Sequence, residues 1–280
     1  MKKGIGFAAW FLSAAFVFSG CASDKPASGS QDVEQSAISS MEKEQEPSKL
    51  LSASENGEVK LSETTDGVIV DVNGSQKKFD WNILKGVSNP QVSYVDLTGD
   101  GKEEAVIILV TGYGTELDTN EAHILNGKNL SEIKIQSVEE ILAGIETEVN
   151  QKGDELLIKT KAQGKEYKFS KKVSDLKLVN PDDQFENRLY FGNVILNNVK
   201  GQKLTVDIVG SVRPVDGVLP DYVCTVHVTY KYDQALNEFA ADQIQITSDQ
   251  KRRSWPERVS FFLASYFTSS YFYSAAIKSP

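Results

Sequence analysis

A mainly antiparallel β fold with one short helix is the class that this 280-residue sequence predicts. Three observations point there. Apolar residues recur at period two, as in Val68, Val70 and Val72 and again from Tyr222 to Tyr232. Asn73-Gly74 stands between two alternating runs, which is the strongest short-range hairpin signal. Ser137-Val138-Glu139-Glu140 is a capping box that starts one short helix, with a weaker helical stretch around Met41 to Leu51, so α+β is the nearest variant of the class.

In chain order, the alternation begins at Glu58, where Val59 and Leu61 interleave with Lys60 and Ser62. Val68–Val72 and Lys78–Trp81 flank the Asn73-Gly74 turn. Pro90 breaks the chain before a strand at Val92–Val95, and a second strand runs from Ala105 to Val110. Thr111 to Glu121 reads as a glycine-bearing surface connection. In an alternative reading, its Glu116, Asp118 and Glu121 lend oxygens to the acidic loop upstream. Strands at Ala122–Leu125 and Glu132–Ile135 follow, with a turn at Asn126-Gly127. The helix from Ser137 ends at Ala143, with Gly144 as its stop. Glu155–Thr160 and Glu166–Ser170 read as strands with turns at Gly153 and Gly164. After Asn180-Pro181-Asp182-Asp183 come Tyr190–Leu196, Leu204–Val209, Tyr222–Tyr232 and Gln243–Thr247. In the longest of these, alternation buries Cys224 and exposes His227.

These elements divide the chain into residues 58–180, a first β subdomain, and residues 181–249, a second β segment. Residues 21–57 are polar, rich in Ser, Glu and Gln, and hold Pro26 and Pro47. Such a stretch buries too little apolar surface to offset its ordering entropy and reads as a disordered tether. As a flexible coil of about 36 residues it would span roughly 30 Å. Residues 250–280 change composition again: eight of the 26 aromatic residues fall between Trp255 and Tyr273. Val259 to Ile277 carries no charge, and as a helix it would reach about 28 Å, just enough for a bilayer. Lys251, Arg252, Arg253 and Arg258 would lie on the outer side of such a span, against the positive-inside rule. A non-spanning tail is therefore expected.

The N-terminus carries an export signal. Lys2 and Lys3 precede an apolar run from Ile5 to Phe18 and then Ser19-Gly20-Cys21, so residues 1–20 read as a signal peptide. Ser-Gly-Cys resembles a bacterial lipobox, with Phe18 in place of the usual leucine. The resemblance implies that Cys21 is lipidated and becomes the mature N-terminus; ordinary cleavage would leave it a free thiol. With Cys21 acylated, Cys224 has no partner for a disulfide and is expected to pack as a small core residue. Loss of Lys2 and Lys3 takes the net charge from −9 to −11. An acidic chain does not suit nucleic acid and does suit cations.

The stretch with most chemical content is Asp96-Leu97-Thr98-Gly99-Asp100-Gly101-Lys102-Glu103-Glu104. Oxygen-bearing side chains alternate at Asp96, Thr98 and Asp100, Gly101 sits where the chain must turn, and Glu104 follows three residues later. Hard oxygen donors at positions 1, 3 and 5, a carbonyl at 7 (Lys102) and a carboxylate at 9 form the donor pattern of a calcium loop. An EF-hand is excluded, because its bidentate Glu at position 12 would be Ile107. The bland alternative is a hairpin whose Asp and Gly serve turn chemistry alone.

The loop resembles the short calcium loops of FG-GAP and VCBS-type repeats, D-x-D/N-x-D-G-x-x-D/E between two strands. Asp96, Asp100, Gly101 and Glu104 match; Thr98 departs from it and predicts weaker affinity. The resemblance covers about twenty residues and occurs once, so a propeller, which needs at least four blades, is not expected. The whole chain is similar to exported lipoproteins of spore-forming, Gram-positive bacteria that carry one such loop.

Catalytic signatures are missing from the sequence. His123 and His227 are the only histidines, too few for a histidine-rich zinc site. There is no nucleophile elbow, Walker loop or dinucleotide fingerprint. The sequence therefore predicts a non-catalytic protein, lipid-anchored on the extracytoplasmic face of the cell membrane. Its calcium loop would stiffen a β subdomain that binds an envelope protein or cell-wall polymer. Two other readings stand beside it: a structural or inhibitory lipoprotein whose loop holds no ion, and a cell-wall hydrolase or its accessory working through Glu and Asp.

Overall fold

The computed structural model describes residues 48–176, 183–217 and 220–249. The expected signal peptide, Cys21, most of the tether, Asn180 to Asp182 and the aromatic tail lie outside the described residues.

The first four strands form an antiparallel meander: β1 (Lys49–Ala53), β2 (Val59–Thr64), β3 (Gly67–Val72) and β4 (Ser75–Phe79). The Asn73-Gly74 turn works as the sequence predicts. Both residues have positive φ, 52° and 86°, the combination a two-residue hairpin turn needs. Val59, Leu61, Val68, Val70, Val72 and Phe79 are buried from one face of this sheet. β1 corrects the tether boundary. Residues 49–53 pair with β2, although of Lys49-Leu50-Leu51-Ser52-Ala53 only Leu51 packs on the core and Leu50 stays exposed. Backbone pairing, which leaves no compositional trace, holds it.

The next strands are β5 (Gln91–Val95), β6 (Glu104–Gly114), β7 (Leu117–Asn126) and β8 (Glu132–Ile135), followed by helix α1 (Val138–Ala143). The capping box forms in full: Ser137 Oγ accepts from Glu140 N, and Glu140 accepts from Ser137 N. β9 (Glu146–Lys152), β10 (Glu155–Ala162) and β11 (Lys165–Lys172) make a three-stranded antiparallel sheet. β9 goes unsignalled in the sequence because only its Val149 is buried. The last strands are β12 (Val194–Lys200), β13 (Lys203–Val212), β14 (Asp221–Asp233) and β15 (Glu238–Ser248). β12 starts four residues later than expected; Tyr190 makes only an isolated bridge to Ser211.

Eight strands join in the order β12-β13-β14-β15-β8-β7-β6-β5, and β12 also pairs with β7. The pairings of β7, β12, β13, β14, β15 and β8 therefore close into a ring of six, with β6 and β5 as a branch on β7. The residue-180 boundary expected from Asn180-Pro181 thus does not separate two sheets: strands from both sides share this one. Two short parallel contacts complete the ring. Val194 and Ile195 meet Asp118 and Thr119, and Glu238 and Phe239 meet Lys134 and Ile135.

Two cores result, and β6 belongs to both. Ala105, Ile107 and Leu109 pack with the meander, whereas Val106 and Ile108 pack with the ring strands, α1 and the three-stranded sheet. A strand buried on both faces needs an unbroken apolar run, and Ala-Val-Ile-Ile-Leu supplies it. On β14, Cys224, Val226, Val228 and Tyr230 are buried as the alternation predicts.

Candidate metal-binding loop

The acidic loop joins β5 to β6, so its C-terminal end is the strand common to both cores. Leu97 is buried and anchors its start. Asp96 then organises the turn: Oδ1 accepts from Gly99 N at 2.7 Å and Oδ2 from Gly101 N at 2.9 Å. Gly99 and Gly101 stand at φ 78° and 82°, a left-handed conformation that glycine adopts without strain. Asp100 turns toward Lys102, with Oδ1 on the backbone N–H and Oδ2 on the ammonium, each at 2.9 Å. The Lys102 ammonium, donating to this carboxylate, holds the Asp100 pKa below the ordinary range.

Glu104 behaves differently. It is 2% exposed, and its Oε2 accepts from Leu97 N at 2.9 Å and Thr98 N at 3.2 Å. Burial pushes its carboxyl pKa up, and the two amide donors pull it partway back. The Thr98 hydroxyl is shut off from solvent and makes no hydrogen bond of good geometry, although it lies near enough to Asp100 to lower that pKa slightly.

The structure thus brings Asp96, Thr98, Asp100, Lys102 and Glu104 into one loop, held by its own amides. Among the described residues no three His, Cys, Asp or Glu side chains converge as a metal cluster. The donor chemistry fits a hard cation: carboxylate, hydroxyl and carbonyl oxygens, with neither thiolate nor imidazole. Carboxylate oxygens that accept one N–H each keep further lone pairs. The unpartnered Thr98 hydroxyl is the atom such a cation would satisfy.

The acids of the next connection do not contribute. β6 and β7 extend through Thr111 to Glu121 as one hairpin, so the expected surface connection is mostly strand. Glu121 stands opposite Leu109, about 17 Å along β6 from Glu104, and Glu116 lies more than about 30 Å away at the hairpin tip.

Three polar constellations assembled across strands escaped the sequence. His227 on β14 contacts Asp207 of β13 through Nδ1 at 2.8 Å and Thr247 of β15 through Nε2 at 2.9 Å. The order carboxylate–imidazole–hydroxyl is that of a nucleophilic triad. It lies on an open sheet face, however, with the His227 side chain 41% exposed, where nothing excludes water from a developing charge. The hydrogen bond with His227 holds the Asp207 pKa down.

The second constellation stacks Phe79, Trp81 and His123, with centroid separations of 4.2 and 3.8 Å. His123 Nδ1 meets Glu132 at 2.7 Å. The stack borders an open depression of about 430 Å³ that Asp80 and Glu121 also line. Both ring faces of Trp81 are covered, so the indole offers no stacking platform to a ligand. The third gathers Arg188, Tyr190 and Arg213. Phe79 and Trp81, like Arg188 and Tyr190, are two residues apart, but His123, Arg213 and the partners of His227 reach them only through pairing of segments distant in the chain.

Cys224 is buried, and burial pushes its thiol up to about 12, away from the thiolate form. Among the described residues no helix is long and apolar enough to cross a membrane. Comparison with protein-family models, curated proteins and solved structures finds no match.

Proposed function

We propose that this chain is an exported envelope protein, anchored to the outer face of the cell membrane through lipid on Cys21, without catalytic activity. Its Asp96–Glu104 loop takes calcium and stiffens a β domain that binds an envelope protein or cell-wall polymer. Asp96, Thr98, Asp100, Glu104 and the Lys102 carbonyl would hold the ion. The observation that carries the reading is the position of Glu104, a buried carboxylate at the head of the strand common to both cores. An ion bound at this root would tie the loop to both cores at once. The signal-like N-terminus and Ser19-Gly20-Cys21 support the anchoring.

The test is thermal melting of wild type and Asp100→Ala in millimolar calcium and in chelator. At calcium about 100 times its Kd, the wild type should gain about 2.7 kcal/mol of apparent stability. The variant should lose that gain. Equal melting of the wild type in both conditions would leave the loop a turn and favour a structural or inhibitory lipoprotein.

A further inference from the structure

Of the thirty Lys and Arg residues, Arg188 and Arg213 are the only two arginines among the described residues, and both lie over one ring. Their guanidinium carbons stand 4.7 and 4.3 Å from the centroid of Tyr190. The backbone fixes this arrangement. Tyr190 and Ser211 exchange hydrogen bonds of 2.9 Å in both directions, and Glu186 N donates to Arg213 O at 3.0 Å. Arg188 Nε donates to the Tyr190 hydroxyl at 3.2 Å and lies 3.9 Å from the Glu186 carboxylate, to which Tyr190 donates.

Arg213 is the unbalanced member. Its side chain has no hydrogen bond or ion pair among the described residues, and its Nε is sealed from solvent. A shielded charged donor without an acceptor is costly, and such groups call for an explanation. A guanidinium stacked on an aromatic ring keeps the N–H edge in its own plane available as a fork for a planar or tetrahedral oxyanion. The cluster carries two positive charges against the single carboxylate of Glu186. The described residues otherwise use lysine for their positive charge, which supplies a point charge and no fork.

We propose that Arg188, Tyr190 and Arg213 form a binding site for a phosphoryl oxyanion, a phosphate or phosphate ester. Arg213 supplies the fork, and Arg188 turns from Glu186 to join it. Two guanidinium groups on one ring suit the tetrahedrally spread oxygens of a phosphoryl group, monoester or diester, better than the two coplanar oxygens of a carboxylate. The site stands apart from the acidic loop in sequence and in charge, so its failure would not bear on calcium binding.

The experiment is calorimetric titration of the full chain with inorganic phosphate and with a glycerol phosphodiester at constant ionic strength. Arg213→Lys keeps the charge and removes the fork; Arg188→Gln changes an exposed side chain. Each should weaken binding about tenfold or more, while Lys203→Gln, at the exposed β12–β13 turn, leaves it unchanged. Binding of inorganic phosphate alone assigns free phosphate, and binding of the diester assigns an esterified source such as a polymer or headgroup. No binding of either probe by wild type, or wild-type affinity in both arginine variants, would overturn the proposal.

Discussion

Replacing Glu104 by alanine should be among the most damaging single changes to a charged residue in this domain. The carboxylate accepts from Leu97 N and Thr98 N, and each hydrogen bond to a charged group contributes about 1.5–3 kcal/mol net. Burial of the charge, evident in its raised pKa, opposes that gain. A net loss of about 2–4 kcal/mol follows, or about 6–12 °C in Tm for a domain of about 200 residues. Glu104→Gln keeps one acceptor oxygen and should cost about 1 kcal/mol. Exposed Glu103→Ala should stay within about 0.5 kcal/mol of wild type. The sign of the pH dependence follows from the raised pKa. The folded state holds the Glu104 proton more tightly than the unfolded chain does. Wild type should therefore gain stability on Glu104→Gln as pH falls through the raised value toward the ordinary carboxylate range, with no further gain below it. Urea melts in chelator, at pH 7 and across the acid range, measure both effects. If Glu104→Ala costs no more than Glu103→Ala, the view of Glu104 as the loop's internal anchor is wrong.

The ring closure gives a second prediction. Asn120 and Asn197 clasp each other through four hydrogen bonds of 2.6 to 3.3 Å beside the two-residue β7–β12 contact. Asn197→Ala should cost about 1–3 kcal/mol, and a double-mutant cycle with Asn120→Ala should show strong coupling by urea melts. Asp207, whose pKa His227 holds down, contributes stability that is present above the ordinary aspartate value and lost as pH falls through its lowered one. Asp207→Asn should erase that acid-side loss in urea midpoints taken below about pH 4. Cys224, its thiol pushed up to about 12, should resist thiol reagents in the native state and react after denaturation.

Local chemistry made part of this molecule legible. Asn73-Gly74, the Ser137 capping box and the alternation of β14 each act within a few residues, so spacing alone exposes them. The continuous apolar run after Glu104 announced a strand, and its burial on both faces came from the packing of the two cores. What escaped depends on partners far along the chain. β1 puts a single side chain on the core and β9 is polar, so both are held by pairing, and the ring closes through parallel contacts of two residues whose partners lie far apart in sequence. Gly112 and Gly114 masked the hairpin continuing through Thr111 to Glu121. The acidic loop was legible in its donor types, and its turn follows the glycines. The burial of Glu104, the isolation of the Thr98 hydroxyl and the meeting of two arginines on Tyr190 all come from packing.

Calcium binding to the Asp96–Glu104 loop is read out by calorimetric titration of the ion into the chain, wild type beside Asp96→Asn. One ion per chain is expected in the wild type, with weaker binding as pH falls and Glu104 takes up its proton, and loss of the ion in the variant. An absence of binding heat from the wild type, or an unchanged isotherm in Asp96→Asn, would contradict calcium binding by this loop.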